Sequence, residues 1–221
     1  MNDNQATRVL VADRHPVVRA GLAASLASAS SLECVGEADS VETLLGGLTE
    51  SPCDVAVIDV TFRGLDGLEA IRTIKARHPA TGVLVFSSHD ELHFAERSIR
   101  LGARGYLMKS VPVAKVLDAV NAVARGKVAV SPAVAQRMIG QGGSGGARRP
   151  THGIESLSDR ELEVLSLLGM GLSTREIAKR LHLSVKTIDT YRDNLKHKLG
   201  LENATRLIRY AVRYAMDNDL G

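Results

Sequence analysis

The sequence predicts an α/β doubly wound, five-stranded parallel sheet followed by a small all-α, four-helix domain. Three observations carry this expectation. Five short β-branched runs alternate with helical patterns, a Gly-rich stretch interrupts the chain near residue 140, and no strand pattern follows it.

The candidate strands cover residues 8–12, 32–37, 55–58, 83–86 and 105–108, and the helical patterns cover 16–29, 41–50, 68–78, 92–101 and 113–124. Each strand precedes a helix, the order that forces parallel pairing with helices on both faces. Runs 55–58 and 83–86 are apolar throughout, as strands covered on both faces should be. Pro16 and Pro112 stand where the first turn of a helix tolerates proline.

From Gly140 to Gly153 the chain offers almost nothing to bury, which reads as a linker spanning about 20 Å on average. The expected division is a domain at 7–126, a linker at 127–153 that is Gly-rich from 140, and a second domain at 154–217. In that second part, Ser158-Asp159-Arg160-Glu161 and Ser173-Thr174-Arg175-Glu176 are capping boxes, each announcing a helix start. Ser184 caps a third helix, Gly200 ends it, and a fourth runs from Ala204 with Leu207, Ile208, Ala211 and Ala215 on one face.

Composition narrows the function. Hydrophobic residues make up 44% and charged residues 24%, an ordinary globular balance, and no apolar run approaches a membrane span. The amino terminus lacks the pattern of a secretory signal, and two cysteines, Cys34 and Cys53, form no disulfide framework. A cytoplasmic protein with no membrane partner is expected. Residues 131–221 carry 14 Lys and Arg against 10 Asp and Glu, so the basic excess of the chain lies at that end and hints at a polyanionic partner.

Four strands of the first domain end on a polar residue: Asp13, Asp59, Ser87 and Lys109. In a parallel sheet these gather at the carboxyl edge, where open α/β folds bind ligands. Two carboxylates, a hydroxyl and an ammonium suit a phosphoryl site with a metal nearby; Asp13 also suits a helix cap before Pro16. An enzymatic reading fails on two counts. An aspartate-nucleophile phosphohydrolase needs an acid two residues past Asp59 and finds Thr61; a nucleotide binder needs a phosphate-cradling first loop and finds Asp13-Arg14-His15-Pro16. His89 and His93 lack a third ligand at metal spacing and read as helix surface.

The segments around Asp13-Arg14-His15-Pro16, Asp59, Gly64-Leu65-Asp66-Gly67, Ser87-Ser88 and Gly105-Tyr106-Leu107-Met108-Lys109 resemble the receiver domain of bacterial two-component response regulators, a flavodoxin-like fold. The resemblance implies that Asp59 is the phosphoacceptor, Lys109 its neighbouring cation, Ser87 the switch hydroxyl and Tyr106 the aromatic residue that moves with it. The family carries two adjacent acids after its first strand as Mg2+ ligands. Arg14 replaces the second and has no lone pair to offer, so among Asp13 and Asp59 a bound Mg2+ is doubtful and no cofactor is certain. Phe62-Arg63 also departs from the family pattern.

Residues 154–217 resemble the LuxR-type helix-turn-helix, and the whole chain is similar to NarL/FixJ-class response regulators. In the third helix of that domain Ile188, Leu195 and Leu199 point inward. Lys186, Asp189, Thr190, Asp193, Lys196 and His197 then point outward, with Thr187, Tyr191 and Arg192 at the margin, on the face that would enter a major groove. The resemblance implies a non-enzymatic, dimeric regulator of transcription that binds double-stranded DNA, paired through its last helix around residues 207–215. A sensor kinase is a further expected partner, and control independent of Mg2+-dependent phosphorylation is expected from Arg14. Two alternatives stand beside it: a co-regulatory module that pairs with a related regulator, and a conventional phosphorylation-activated regulator.

Overall fold

The computed structural model describes residues 6–62, 66–142 and 153–218. The chain forms two compact units, Met1–Ile139 and Gly140–Gly221. In the first, the elements run β1 (Thr7–Ala12), α1 (Pro16–Ala27), β2 (Leu32–Ala38), α2 (Val41–Glu50), β3 (Val55–Ile58), α3 (Asp66–Arg77), β4 (Gly82–Ser87), α4 (Glu91–Arg100), β5 (Gly105–Met108) and α5 (Val113–Ala124). All neighbouring strands pair in parallel, in the order β2-β1-β3-β4-β5. The chain therefore reverses its direction of winding between β1 and β3, which places a cleft at their carboxyl ends.

The core follows from strand burial. Every residue of β3 and β4 is buried, so neither strand has a polar face. Val9, Val11, Val55, Val57 and Leu84 pack on Leu22 and Leu26 of α1 and Val116 and Val120 of α5. Leu10 turns the other way and meets Gly47 of α2. Each fully buried Val or Leu contributes about 1.5–3 kcal/mol, so this apolar double layer holds the strand ends in register. Cys53 is buried within it, its thiol pushed up to about 11 chiefly by desolvation, whereas Cys34 is only half-buried. Gly67, at the start of α3, approaches so closely that a Cβ there would lie 2.3 Å from the Asp59 carbonyl oxygen.

The segment expected as a linker from residue 127 is structured in its first half. Ala129 bridges Gly105 of β5, and α6 spans Pro132–Gly142 with Val134 buried. The signal for α6 was local: Ser131 accepts from the Val134 N–H, and Pro132 opens the helix. Most of the Gly-rich stretch, residues 143–152, lies outside the described residues, as does Arg63.

The second unit begins with a short 3-10 turn (Ile154–Ser156), which the sequence reading missed, and continues with α7 (Asp159–Gly169), α8 (Thr174–Arg180), α9 (Val185–Leu199) and α10 (Ala204–Asp217). Both capping boxes form, at Ser158–Glu161 and Ser173–Glu176; Ser184 and Asn203 cap the remaining two helices. Gly200 closes α9 at φ 65°, the left-handed value expected of it. Leu162, Leu165, Ile177, Ile188, Leu195, Leu207 and Ala211 form the core. Gly169 lets α10 approach α7: a Cβ there would lie 2.2 Å from the Ala211 carbonyl oxygen.

Glu161 is buried and does two jobs. Its carboxylate accepts from the Ser158 N–H at 2.7 Å and receives the Lys198 ammonium at 2.6 Å. Burial alone would raise its pKa, but the hydrogen bonds from Lys198 and Ser158 outweigh it and hold the carboxyl below its ordinary value. A depressed carboxyl stabilises the fold above its unfolded pKa, and that contribution fades as pH falls through the folded value. Acid titration of the melting temperature should therefore show a loss for the second unit below about pH 4.5, absent in Glu161→Gln. At neutral pH, Lys198→Met should cost about 3 kcal/mol by stranding that carboxylate. Gly169→Ala should lower the unfolding temperature of the second unit by an overpacking cost of about 3 kcal/mol and leave the first unit's transition unchanged.

Candidate functional site

The four strand-end residues meet as their positions in the sheet dictate. Asp13 follows β1, Asp59 follows β3, Ser87 ends β4 and Lys109 follows β5. The Lys109 ammonium lies 2.6 Å from Asp13 Oδ2 and 2.7 Å from Asp59 Oδ2, bridging two carboxylates that are almost fully buried. The other oxygen of Asp59 accepts from the Ser87 hydroxyl at 2.7 Å and from the Thr61 N–H at 3.3 Å. Asp13 Oδ1 accepts from the His15 N–H at 2.8 Å, so this residue shapes the turn into α1 as well as facing the cleft. Tyr106 is fully buried, its hydroxyl donating to the His89 carbonyl oxygen at 2.9 Å, and desolvation raises its pKa strongly.

The metal expectation is corrected here. Asp13, His15 and Asp59 each offer a ligand atom, and these atoms lie within 4.8 Å of one another. Two carboxylates and an imidazole are a donor set that fits a divalent cation. Arg14, adjacent to Asp13, offers no lone pair, but His15, one residue further on, supplies the donor that a guanidinium cannot. His15 Nδ1 lies 3.0 Å from Asp13 Oδ1, which orients the ring. When bound, Mg2+ would neutralise charge on a phosphoryl group arriving at Asp59.

A second correction concerns His89, read as helix surface. It precedes α4 and is buried, its Nε2 hydrogen-bonded to the Thr61 hydroxyl and its ring 4.9 Å from that of Phe94. The side chain of His93 lies outside the described residues. Thr61 and His89 are 28 residues apart, so no local pattern could have joined them.

In the second unit, α9 carries the remaining predicted residues. Lys186, Asp189, Thr190 and Asp193 are exposed; Thr187, Tyr191, Arg192 and Lys196 are half-buried at the margin. Two cations at its margin are engaged. Lys196 lies 2.9 Å from Asp193, and Arg192 lies 3.7 Å from Asp189 and donates to the Thr174 hydroxyl at 2.7 Å. Asp189, Arg192, Asp193 and Lys196 line one wall of a shallow cavity of about 330 Å³ whose other wall is Ala204 and Leu207 of α10.

This arrangement has clear relatives. Residues 9–121 match the response regulator receiver domain, and residues 155–211 match the bacterial regulatory proteins of the luxR family. The transcriptional regulatory protein MctR of Rhizobium johnstonii is 32% identical over 221 residues, covering all of both chains. The response regulator GacA of Pseudomonas viridiflava is 34% identical, covering 95% of this chain and 97% of its own. Among solved structures, RcsB of Salmonella typhimurium superposes with a TM-score of 0.72 at 26% identity, covering 95% of this chain and 98% of its own. The chain belongs to the response regulators that join a receiver domain to a LuxR-type helix-turn-helix, a class of transcriptional regulator rather than of enzyme. No described helix is long and apolar enough to cross a membrane.

The charge balance of the cleft is testable without DNA. Mg2+ at tenfold its dissociation constant should stabilise the first unit by about 1.4 kcal/mol. Asp13→Asn should remove most of that gain in thermal unfolding, and Lys109→Met should make the unit depend on the cation. Equal responses in all three proteins would contradict this assignment.

Proposed function

We propose that the chain is a dimeric, DNA-binding transcription factor of the cytoplasm. In this reading residues 7–126 are the receiving domain, 127–153 the connection and 154–217 the DNA-binding domain. The observation that carries it is the outward face of α9, where Lys186, Thr190 and Asp193 are exposed on a helix whose opposite side, Ile188 and Leu195, is fully buried. Such a helix can lie in a major groove without unpacking its domain. Lys186, Arg192 and Lys196 would engage phosphates, Asp189, Thr190 and Asp193 would face the bases, and Thr187 and Tyr191 would sit at the margin. A structural relative supports this: Salmonella enterica RcsB, TM-score 0.72 and 27% identity over 94% of this chain, is bound to promoter rprA in the presence of phosphomimetic BeF3-.

We infer that two copies pair through the outer side of the last helix, around residues 207–215. Leu207, Ala211 and Ala215 are buried within their own unit, and α10 instead presents Ile208 and Met216, the latter 76% exposed. Pairing through these two, with half-buried Val212 between them, would leave the domain core intact.

In the receiver, Asp59 would accept a phosphoryl group from a sensor kinase, with the Ser87 hydroxyl and Lys109 ammonium within 2.7 Å of its carboxylate to hold the added oxygens.

Binding of the full chain to duplex DNA, titrated across salt concentrations, tests the reading. Affinity should fall steeply with salt, and Lys186→Ala should weaken binding to all sequences and reduce the logarithmic salt slope by about 1. Asp193→Asn should release Lys196 and raise low-salt affinity about threefold, in line with a surface ion pair of a few tenths to 1 kcal/mol. Salt-independent binding, or none, would overturn it.

A further inference from the structure

After α5 the chain returns along the free edge of β5. The Tyr106 N–H donates to the Ala129 carbonyl oxygen at 2.9 Å, and the Ala129 N–H donates to the Arg104 carbonyl oxygen at 2.8 Å. The approach is close: a Cβ at Gly105 would lie 2.8 Å from the Ala129 oxygen. Two residues later the Ser131 hydroxyl donates to Glu91 Oε1 at 2.8 Å and accepts from the Val134 N–H at 3.2 Å. One side chain thus caps α6 and grips the first residue of α4. Val134, one turn into α6, is buried.

The same two anchor points lead back to the phosphoacceptor. The loop from Ser87 to Asp90 joins β4 to α4. Within it Ser87 holds Asp59, the His89 N–H donates to the Ser87 hydroxyl at 3.3 Å, and Asp90 caps α4 immediately before Glu91. Tyr106 touches both sides, its hydroxyl on the His89 carbonyl and its N–H on Ala129. The Ser87 hydroxyl is thus linked by hydrogen bonds both to the loop that leads into Glu91 and, through His89, to the residue that pairs with the returning chain.

We propose that residues 127–134 are a strap that transmits the state of the Asp59 pocket to α6, the helix preceding the second unit in the chain, by holding or releasing Ser131. The proposal has two states. With Ser131 gripped, α6 is capped and the edge of β5 is covered; with Ser131 released, α6 loses its anchor on α4. The coupling is reciprocal, so freeing the strap also loosens the hold of Ser87 on Asp59.

Hydrogen exchange of the full chain, read by mass spectrometry without DNA, tests this; failure would leave the DNA-binding reading untouched. Ser131→Ala should speed exchange within residues 127–142 about fivefold, the usual effect of losing a helix cap, with β1 and β3 unchanged. Glu91→Ala should do the same, whereas Glu91→Gln, which keeps the accepting oxygen, should not. The decisive variants lie at the pocket. Ser87→Ala and Tyr106→Phe, neither altering a side chain that contacts Ser131, should each speed exchange in the same segment, and Ser87→Ala combined with Ser131→Ala should add nothing to Ser131→Ala alone. Wild-type exchange of residues 127–142 in both pocket variants, or simple additivity in the double variant, would overturn the proposal.

Discussion

Burying two ionised carboxylates side by side at the ends of adjacent strands is costly unless a cation sits between them. Asp13 and Asp59 are only 2% and 3% exposed, and Lys109 reaches both from the end of β5. That single ammonium ties β5 to β1 and β3 across β4, whose own terminal residue, Ser87, completes the ring through Asp59. The order of strands thus becomes an electrostatic device. His15 adds a third ligand atom beside the two carboxylates. The surrounding apolar layers do the quieter work of keeping the ends of these strands at fixed separation.

The second unit solves a different problem. A DNA-reading helix needs cations, but bare cations bind any nucleic acid. On α9 each marginal cation faces a carboxylate one turn away, Arg192 with Asp189 and Lys196 with Asp193. In the proposed binding mode a phosphate would have to displace a carboxylate, which would lower affinity for unselected sequence while leaving the exposed Lys186 to attract the duplex. In that mode the acids on this face would serve discrimination as well as base contact. Beneath them the Glu161–Lys198 pair and the close approach at Gly169 keep α7, α9 and α10 in one arrangement.

Features encoded locally were legible in the sequence. The strand ends, the two capping boxes and the left-handed Gly200 depend on neighbours within four residues, and all stand where local chemistry puts them. Features that depend on the fold were not. The sequence marks His15 only as the residue after Arg14; that it shares a cleft with Asp59 follows from the pairing of β1 with β3. His89 looked like helix surface because its partner Thr61 comes from a different loop. Ile208 and Leu207 both fit an apolar face of α10, and only packing against α7 decides which is left outside. Helix α6 is a different case: Ser131-Pro132 is a readable start signal, masked by the glycines that follow.

In the proposed function this chain reads DNA as a pair. Selection of bound duplexes from a random library by the full-length protein tests it most directly. Two copies joined through α10 would enrich inverted half-sites with centres about one helical turn, roughly 10 base pairs, apart. Enrichment of a lone half-site, or of no sequence, would contradict the account.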